Sequence, residues 1–263
     1  MSDQPHTLTG LFRSHQNFTS KYVEPTHDVL VYLPPDYEDS PERCYPVLYL
    51  QDGQNIFDGA TAFIPGQEWR VDETAEALIR GDEIEPLIIV GIYNAGAARM
   101  DEYTPTRDPK IGQGGKADQY GRMMIEELKP FIDSEYRTCT DASKTGLGGS
   151  SLGGLLTLHL GIRHPNVFGR LAVLSPSVWW DRRRIVREVQ ALREKTRSKI
   201  WLDIGTGEGK TATQNVRLLR DALEQKGWEH GVDLAYFEAE GADHSEGAWA
   251  ARIDSILRFL YPR

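Results

Sequence analysis

Apolar residues recur along the chain in two alternating patterns, short continuous runs and longer stretches with helical spacing. The short runs predict strands, because buried strands of a parallel sheet read as continuous apolar segments. They lie at 27–33, 46–50, 87–93, 144–147, 170–174, 199–204 and 232–238. Amphipathic stretches predict helices at 71–79, 117–136, 152–164, 182–195, 211–226 and 247–261. This alternation favours an α/β fold with a mostly parallel central sheet and helices on both faces.

The alternation continues without an internal repeat or a linker, and a length of 263 residues is common for one α/β domain. We therefore predict a single domain over 1–263, in which 1–25 form an N-terminal extension or edge strands. Pro130 should kink or split the helix predicted at 117–136. The longest irregular stretch, 94–116, leaves the end of a predicted strand, so it should lie at the edge of the sheet where ligands bind.

Composition and charge argue against several classes of partner. The chain has 39 acidic and 30 basic residues and a net charge of −9, a balance that repels nucleic acid and anionic lipid surfaces. No apolar run approaches the ~18 residues of a membrane span, and the N-terminus lacks the pattern of a signal peptide. We therefore expect no nucleic acid or membrane partner and a cytoplasmic location, although a secreted mature chain would look the same. The oligomeric state stays open.

Neither the cysteines nor the glycine-rich loops indicate a cofactor. Cys44 and Cys139 are far apart and lack the spacing of a metal site, and they indicate no disulfide framework either. The Gly209-Lys210-Thr211 segment lacks the earlier glycine of a phosphate-binding loop, and no G-x-G-x-x-G motif is completed. We expect no cofactor and no metal.

The candidate chemistry lies where a predicted strand meets a predicted helix. Gly149, Ser151 and Gly153 fit the pattern Gly-x-Ser-x-Gly, in which a nucleophilic serine occupies a strained turn between strand and helix. Small residues at both glycine positions let the strand and the helix approach each other. Ser150 does not fit, because Leu152 stands where its second glycine would be. Ser151 is therefore the candidate nucleophile.

A serine nucleophile needs a histidine that takes its proton and a carboxylate that orients the histidine. His244 follows the last predicted strand, so it should reach the same edge of the sheet as Ser151. Glu208, in the loop after the preceding strand, is the first choice for the acid. Asp203, within that strand, is the second choice, and Asp243 is a weaker third.

The oxyanion of the reaction should be stabilised by two backbone N–H groups. One belongs to Leu152, directly after the nucleophile, and the other is assigned to Gln54, in the loop after the strand at 46–50. Three further residues near this edge are candidates for substrate binding: Trp180, Arg99 and Asp52. Trp180 could stack on an aromatic acyl group or a sugar ring, with core packing as an equal alternative. Taken alone, Asp52-Gly53 is better explained as an ordinary turn. For Arg99 a solvated position on the loop is the preferred alternative.

Five segments in this order resemble the putative-esterase family of α/β-hydrolases, and the resemblance covers about 26–261. They are 47–55, 149–154, 175–180, 205–208 and 241–244. The family includes feruloyl and acetylxylan esterases, siderophore esterases, S-formylglutathione hydrolase and mycolyltransferases. The resemblance implies an α/β-hydrolase fold, with Ser151, Glu208 and His244 as the triad and Gln54 and Leu152 as oxyanion donors. The family often has methionine where this chain has Leu152, a difference that leaves the backbone N–H in place.

These observations predict a cofactor-independent serine carboxylesterase that works through an acyl-enzyme. The substrate should be a small-molecule or carbohydrate-linked ester of the feruloyl or acetyl type, because no long apolar lid insertion or large cap domain is present for lipid chains. Three alternatives remain. They are an acyltransferase to a sugar hydroxyl, a hydrolase of siderophores or other small esters, and a catalytically silent glycan-binding protein that retains the hydrolase fold.

Overall fold

A central sheet of eight strands organises the computed structural model, which describes residues 5–263. The strands are β1 (Leu11–Phe18), β2 (His27–Leu33), β3 (Val47–Gln51), β4 (Ile88–Ile92), β5 (Arg107–Asp108), β6 (Gln113–Gly114), β7 (Thr145–Ser150), β8 (Arg170–Leu174), β9 (Lys199–Gly205) and β10 (Leu234–Ala239). Strands β5 and β6 form a separate hairpin. The order across the sheet is β1-β2-β4-β3-β7-β8-β9-β10.

Most neighbouring strands of this sheet are parallel. β1 and β2, and β2 and β4, pair antiparallel, whereas every pair from β4 across to β10 is parallel. The prediction of a mostly parallel sheet is therefore confirmed. Because parallel strands point the same way, the loops that follow β3, β7, β8, β9 and β10 meet at one edge of the sheet.

Helices cover both faces of the sheet, as predicted. The α-helices of the described residues are α1 (Val71–Arg80), α2 (Arg99–Glu102), α3 (Ala117–Met123), α4 (Lys129–Glu135), α5 (Leu152–Arg163), α6 (Trp180–Ala191), α7 (Lys210–Gln225), α8 (Glu246–Ala250) and α9 (Ile253–Leu260). Side chains such as Tyr120, Leu156 and Val216 bury α3, α5 and α7 against one face. Leu78 and Leu257 bury α1 and α9 against the other. None of these helices is both long and apolar enough to cross a membrane.

Several element bounds differ from those predicted, each for a local reason. The stretch 117–136 is divided into α3, a π-helical turn over Met124–Leu128, and α4. Pro130 lies just after the π-helical turn, and the residues on both sides of that turn keep right-handed helical dihedrals, so the expected disruption takes the form of a π-bulge in a continuous helix and not of a split. The stretch 247–261 is likewise divided into α8 and α9. Strand β7 continues to Ser150, beyond the predicted end at 147. The prediction stopped early because the second half of the strand is glycine-rich and adds no apolar side chains to the pattern.

Two stretches for which the sequence gave no strand or helix bounds contain regular structure, and for 1–25 it is the edge strand named as one of the two alternatives. Leu11–Phe18 forms the edge strand β1, while residues 1–4 of the predicted extension lie outside the described residues. The 94–116 stretch contains α2 and the β5–β6 hairpin. Gly114 N–H donates to Asp101 Oδ1 at 2.6 Å, which ties the hairpin to α2.

Cys44 and Cys139 form a disulfide, although the sequence pointed to none. Their Cα atoms lie 5.2 Å apart across a separation of 95 residues. The two residues come together because each lies shortly before a strand, Cys44 before β3 and Cys139 before β7, and these strands are neighbours in the sheet. Spacing in the sequence does not reveal that strand order. The bond lies at the amino ends of the strands, opposite the edge reached by Ser151.

Candidate active site

Ser151 lies on a strained turn between β7 and α5. Its backbone dihedrals are φ 59° and ψ −119°, a combination that side-chain-bearing residues adopt only where the surroundings enforce it. The two glycines make room for this turn. A Cβ on Gly149 would lie 2.9 Å from the carbonyl carbon of Gly153, and a Cβ on Gly153 would lie 3.3 Å from Cβ of Gln51. The predicted elbow is therefore present, and the sequence spacing that selected Ser151 has a steric cause.

His244 and Glu208 form a close pair at the same edge of the sheet. His244 Nδ1 lies 2.6 Å from Glu208 Oε2. The glutamate side chain is 4% exposed and the imidazole is 43% exposed, so the histidine faces the surface while its carboxylate partner is buried. The imidazole also packs edge-on against Trp249, with ring centroids 4.9 Å apart. The carboxylate and the indole together fix the orientation of the ring.

A cavity of 360 Å³ brings this pair together with the serine. Ser151, Leu152, Glu208 and His244 all line it. The hydroxyl oxygen of Ser151 lies 3.3 Å from that of Ser177. Among residues 5–263, Ser151 Oγ and His244 do not form a hydrogen bond with each other. Hydrogen bonds of this kind are often long in ligand-free sites and tighten when substrate binds. The structure thus places all three predicted triad residues around one cavity.

The two predicted oxyanion donors lie at the start of α5 and in the turn that follows β3. Leu152 is the first residue of α5, so its N–H belongs to the group that a helix start leaves without an intrahelical acceptor. Gln54 lies in a short 3-10 turn directly after β3, and its side-chain Oε1 accepts from Asn94 N–H at 3.2 Å. Within residues 5–263 we find no acceptor for the backbone N–H of Gln54, which leaves it available to a ligand. Leu152 lines the cavity, whereas Gln54 does not.

Asp203, the alternative acid, is fully buried and binds other groups. It accepts from Ser175 N–H at 3.0 Å and from the indole N–H of Trp201 at 2.8 Å. Arg252 Nε lies 3.2 Å from its second oxygen. Burial raises the pKa of Asp203 to about 6. Of the candidate acids, Glu208 is the one that the structure places against His244.

Arg99 and Asp52, both predicted to bind substrate, bind each other. The Arg99 guanidinium donates to both carboxylate oxygens of Asp52, at 2.6 and 2.7 Å, and Asn94 Nδ2 donates to the same carboxylate at 2.7 Å. Arg99 lines the cavity. Asp52 is 4% exposed, so its carboxylate holds Arg99 in position and does not itself face a ligand.

Trp180 packs in the core, one of the two alternatives that the sequence left open, and its neighbour Trp179 lines the cavity instead. Trp180 is 1% exposed and its indole N–H donates to the carbonyl of Thr106 at 2.9 Å. Trp179 is 50% exposed and lines the cavity beside Ser151. Trp180 is held by its contact with Thr106, and the regular helical spacing of α6 starts only after residues 181–183, whose positive φ values interrupt it. Helical periodicity therefore does not place Trp180 and could not have separated the two tryptophans.

Ser175 and Ser177 are site residues to which sequence reasoning gave no role. Ser177 lies beside Ser151, and Ser175 Oγ donates to Glu208 Oε1 at 2.6 Å. Both follow β8, which lies between β7, the strand that leads to Ser151, and β9, the strand that leads to Glu208. This position could have identified them as site residues from the sequence.

A serine held in this way at the carboxyl edge of a mostly parallel sheet is the defining arrangement of the α/β-hydrolases. The family model described as "Putative esterase" matches residues 20–260. The chain therefore belongs to this esterase family, and it is a hydrolase that acts on carboxylic ester bonds.

Similar proteins support the assignment. The chain is 27% identical over 246 residues to the ferri-bacillibactin esterase BesA of Bacillus subtilis, covering 84% of this chain and 81% of the relative. It is 27% identical over 241 residues to an endo-1,4-beta-xylanase/feruloyl esterase of Xylanibacter ruminicola, covering 88% of this chain and 29% of the relative. The crystal structure of the BES protein from Bacillus cereus superposes with a TM-score of 0.78 at 23% identity, covering 100% of this chain and 99% of that one. This last likeness shows the fold.

Proposed function

We propose that the protein is a serine carboxylesterase in which Ser151 is the nucleophile, His244 the general base and Glu208 the residue that orients His244. The observation that carries this proposal is the 2.6 Å contact between His244 Nδ1 and Glu208 Oε2 beside a cavity that Ser151 also lines. A carboxylate on Nδ1 holds the imidazole in the tautomer whose Nε2 can accept a proton.

The reaction proceeds in two halves. Ser151 Oγ attacks the ester carbonyl carbon while His244 Nε2 takes its proton, and the backbone N–H groups of Leu152 and Gln54 stabilise the oxyanion. His244 returns the proton to the alcohol oxygen as the carbon–oxygen bond breaks, which leaves an acyl group on Ser151. Water then attacks the acyl-enzyme with His244 again as base, and the carboxylic acid leaves.

We further propose an ester with an aromatic ring close to the scissile bond, of which a feruloyl ester is the test case. Trp179 presents a half-exposed indole in the same cavity as Ser151, and indoles stack well on flat rings. Met100 and Val178 add apolar surface to the cavity. Its volume of 360 Å³ suits one ring more than a long acyl chain. Feruloyl and siderophore esterases among the similar proteins support this choice.

Labelling with a fluorophosphonate, read by intact mass, tests the nucleophile. Ser177 is a matched control, because its hydroxyl lies 3.3 Å from that of Ser151 in the same cavity. The wild type and Ser177→Ala should each gain one adduct, and Ser151→Ala should gain none. An adduct that persists in Ser151→Ala and disappears in Ser177→Ala would refute the assignment.

Kinetics with methyl ferulate and p-nitrophenyl acetate test the substrate class. Trp179→Ala should lower kcat/KM for the ferulate by about 10-fold or more, the value of an aromatic contact of roughly 1.5 kcal/mol, and should change the acetate much less. Phe237→Ala is the control, because Phe237 is an aromatic residue of similar exposure, 46%, outside the cavity. Equal losses for both substrates would show that Trp179 does not select an aromatic group.

A further inference from the structure

Three carboxylates converge outside the cavity that Ser151 lines, where the chain enters α1. Glu68, Asp72 and Glu73 each offer an oxygen, and these three atoms lie within 4.8 Å of one another. Glu68 is 8% exposed and Asp72 is fully buried. Ionised carboxylates are costly to bury unless other groups compensate their charge, so this cluster needs a partner.

Each carboxylate in the cluster has one oxygen satisfied and the other free. Thr7 Oγ1 donates to Glu68 Oε1 at 2.5 Å, and Thr9 N–H donates to Asp72 Oδ2 at 2.7 Å. Glu68 Oε2, Asp72 Oδ1 and Glu73 Oε2 are buried and have no hydrogen-bond partner among residues 5–263. Two of these three orphaned oxygens belong to side chains that are more than nine-tenths buried. Buried polar atoms are normally paired, so three orphans in one place indicate a ligand.

The protein supplies little positive charge to this cluster. Arg70 Nε lies 3.3 Å from Glu73 Oε1, and its side chain is 66% exposed, so its effect is screened by water. Burial raises the pKa of Glu68, and burial followed by repulsion from Glu73 raises that of Asp72. Both shifts have the direction expected where a counter-charge is missing.

We propose that Glu68, Asp72 and Glu73 bind a divalent cation, with Ca²⁺ as the best fit. All the donor atoms are carboxylate oxygens, which hard cations prefer, and Ca²⁺ accepts the irregular, oxygen-rich surroundings that Mg²⁺ does not. Glu68 and Glu73 also line a surface cavity of 990 Å³. This cavity brings solvent to the side of the cluster formed by Glu68 and Glu73.

A cation at this position would fix the segment that supports the turn containing Gln54. Trp69 N–H donates to the carbonyl of Asn55 at 2.8 Å, and Val71 N–H donates to that of Ile56 at 3.2 Å. Trp69 also packs against Trp249, with ring centroids 5.7 Å apart. The expected role is therefore structural, and the proposal does not depend on the reaction proposed above.

Thermal unfolding of the full chain, first treated with EDTA and then given CaCl₂, tests the site. Ca²⁺ at about 100 times its Kd should raise the Tm of the wild type by about 5 °C. The shift should vanish in Glu68→Gln and Asp72→Asn. It should remain in Glu224→Gln, which removes one exposed carboxylate on α7. Tryptophan-sensitised Tb³⁺ emission that Ca²⁺ displaces provides a second measurement, in case a variant does not fold.

Each outcome decides the proposal. A Ca²⁺-dependent shift that both cluster variants lose, with Tb³⁺ emission that Ca²⁺ displaces in the wild type, would establish the site. Two results would overturn it. One is an unchanged wild-type Tm together with no Tb³⁺ emission, which would mean that the carboxyl groups share protons. The other is a Ca²⁺ shift that persists in Glu68→Gln and Asp72→Asn, which would place the ion elsewhere.

Discussion

Ser175 donates a hydrogen bond from its hydroxyl to Glu208 Oε1 at 2.6 Å, on the carboxylate oxygen that does not face His244. The same hydroxyl accepts from Arg252 Nη2 at 3.1 Å and from Trp249 Nε1 at 3.2 Å. Two buried donors therefore orient the Ser175 hydroxyl toward Glu208. This chain of contacts makes Ser175 a positioning residue for the proposed triad acid.

Replacing Ser175 by Ala should lower kcat by about 10-fold, because a hydrogen bond to a charged group is worth roughly 1.5 kcal/mol or more. Steady-state kinetics of aryl ester hydrolysis at one pH measure the loss.

Ser175→Gly separates the hydroxyl from the backbone. Ser175 has φ 40°, a region that costs alanine about 1 kcal/mol or more but costs glycine little. Both variants lack the hydroxyl, so both should show the same lower kcat, while glycine should be the more stable. A glycine variant with wild-type kcat would show that backbone strain, and not the hydroxyl, mattered.

Glu208→Gln and Asp203→Asn should separate the two candidate acids. The first should lower kcat by roughly 10³–10⁴-fold with little change in Tm, because glutamine cannot hold His244 in the required tautomer. The second should cost about 3–5 kcal/mol of stability, because it leaves Arg252, which is 3% exposed, without its buried counter-charge. Turnover per folded molecule and urea unfolding measure the two effects. The reverse pattern would make Asp203 the acid.

Sequence reasoning located the candidate triad because the relevant information is local. Ser151 is selected by two glycines within two residues of it, and His244 and Glu208 by their places just after strands. Parallel strands then bring those places to one edge of the sheet. The alternation of elements was sufficient to predict that the strands are parallel, so it also predicted that these residues would meet.

Other features depend on information that is not local. The contact between Cys44 and Cys139 follows from the pairing of β3 with β7, which no spacing reveals. Which of the two indoles, Trp179 or Trp180, is buried depends on the contact of Trp180 with Thr106 and on the positive-φ residues 181–183 that follow it. The carboxylate cluster around Asp72 was not predicted from the sequence, because acidic residues in the first turn of a helix are common and normally solvated.

His159 lies on α5 and links three helices. It lies 3.1 Å from Asp118 on α3 and 2.8 Å from Glu188 on α6, and it is 2% exposed. Burial alone would lower its pKa, but the two carboxylates outweigh burial and raise it above 6.5. A raised pKa means that the stabilisation is complete below pH 6.5 and is lost as the pH rises through the folded-state value.

His159→Gln should therefore destabilise the protein more at pH 6 than at pH 9. At pH 6 the loss should be about 1–3 kcal/mol, the range for hydrogen bonds to charged partners. Urea unfolding at both pH values measures it. His230→Gln, which changes an exposed histidine, should give no such difference. An equal loss from His159→Gln at both pH values would mean that the histidine is neutral in the folded protein.

The disulfide should stabilise the fold without affecting the reaction. A bond that closes a loop of 95 residues is worth roughly 4–5 kcal/mol in the chain-entropy model. The double substitution Cys44→Ser and Cys139→Ser should lower the free energy of unfolding by about that amount. It should leave kcat/KM at 25 °C unchanged, because the bond lies at the amino ends of β3 and β7 and the cavity at their carboxyl ends.

Treating the wild type with a reductant provides the control, because it breaks the same bond without changing the sequence. Reduced wild type and the double variant should then unfold at the same urea concentration. Equal stability of oxidised and reduced protein would mean that the bond does not form in solution.

The result also bears on the cellular location of the protein. Disulfides persist in oxidising compartments, so a bond that forms readily and stabilises the fold would count against the cytoplasmic location expected from the N-terminus.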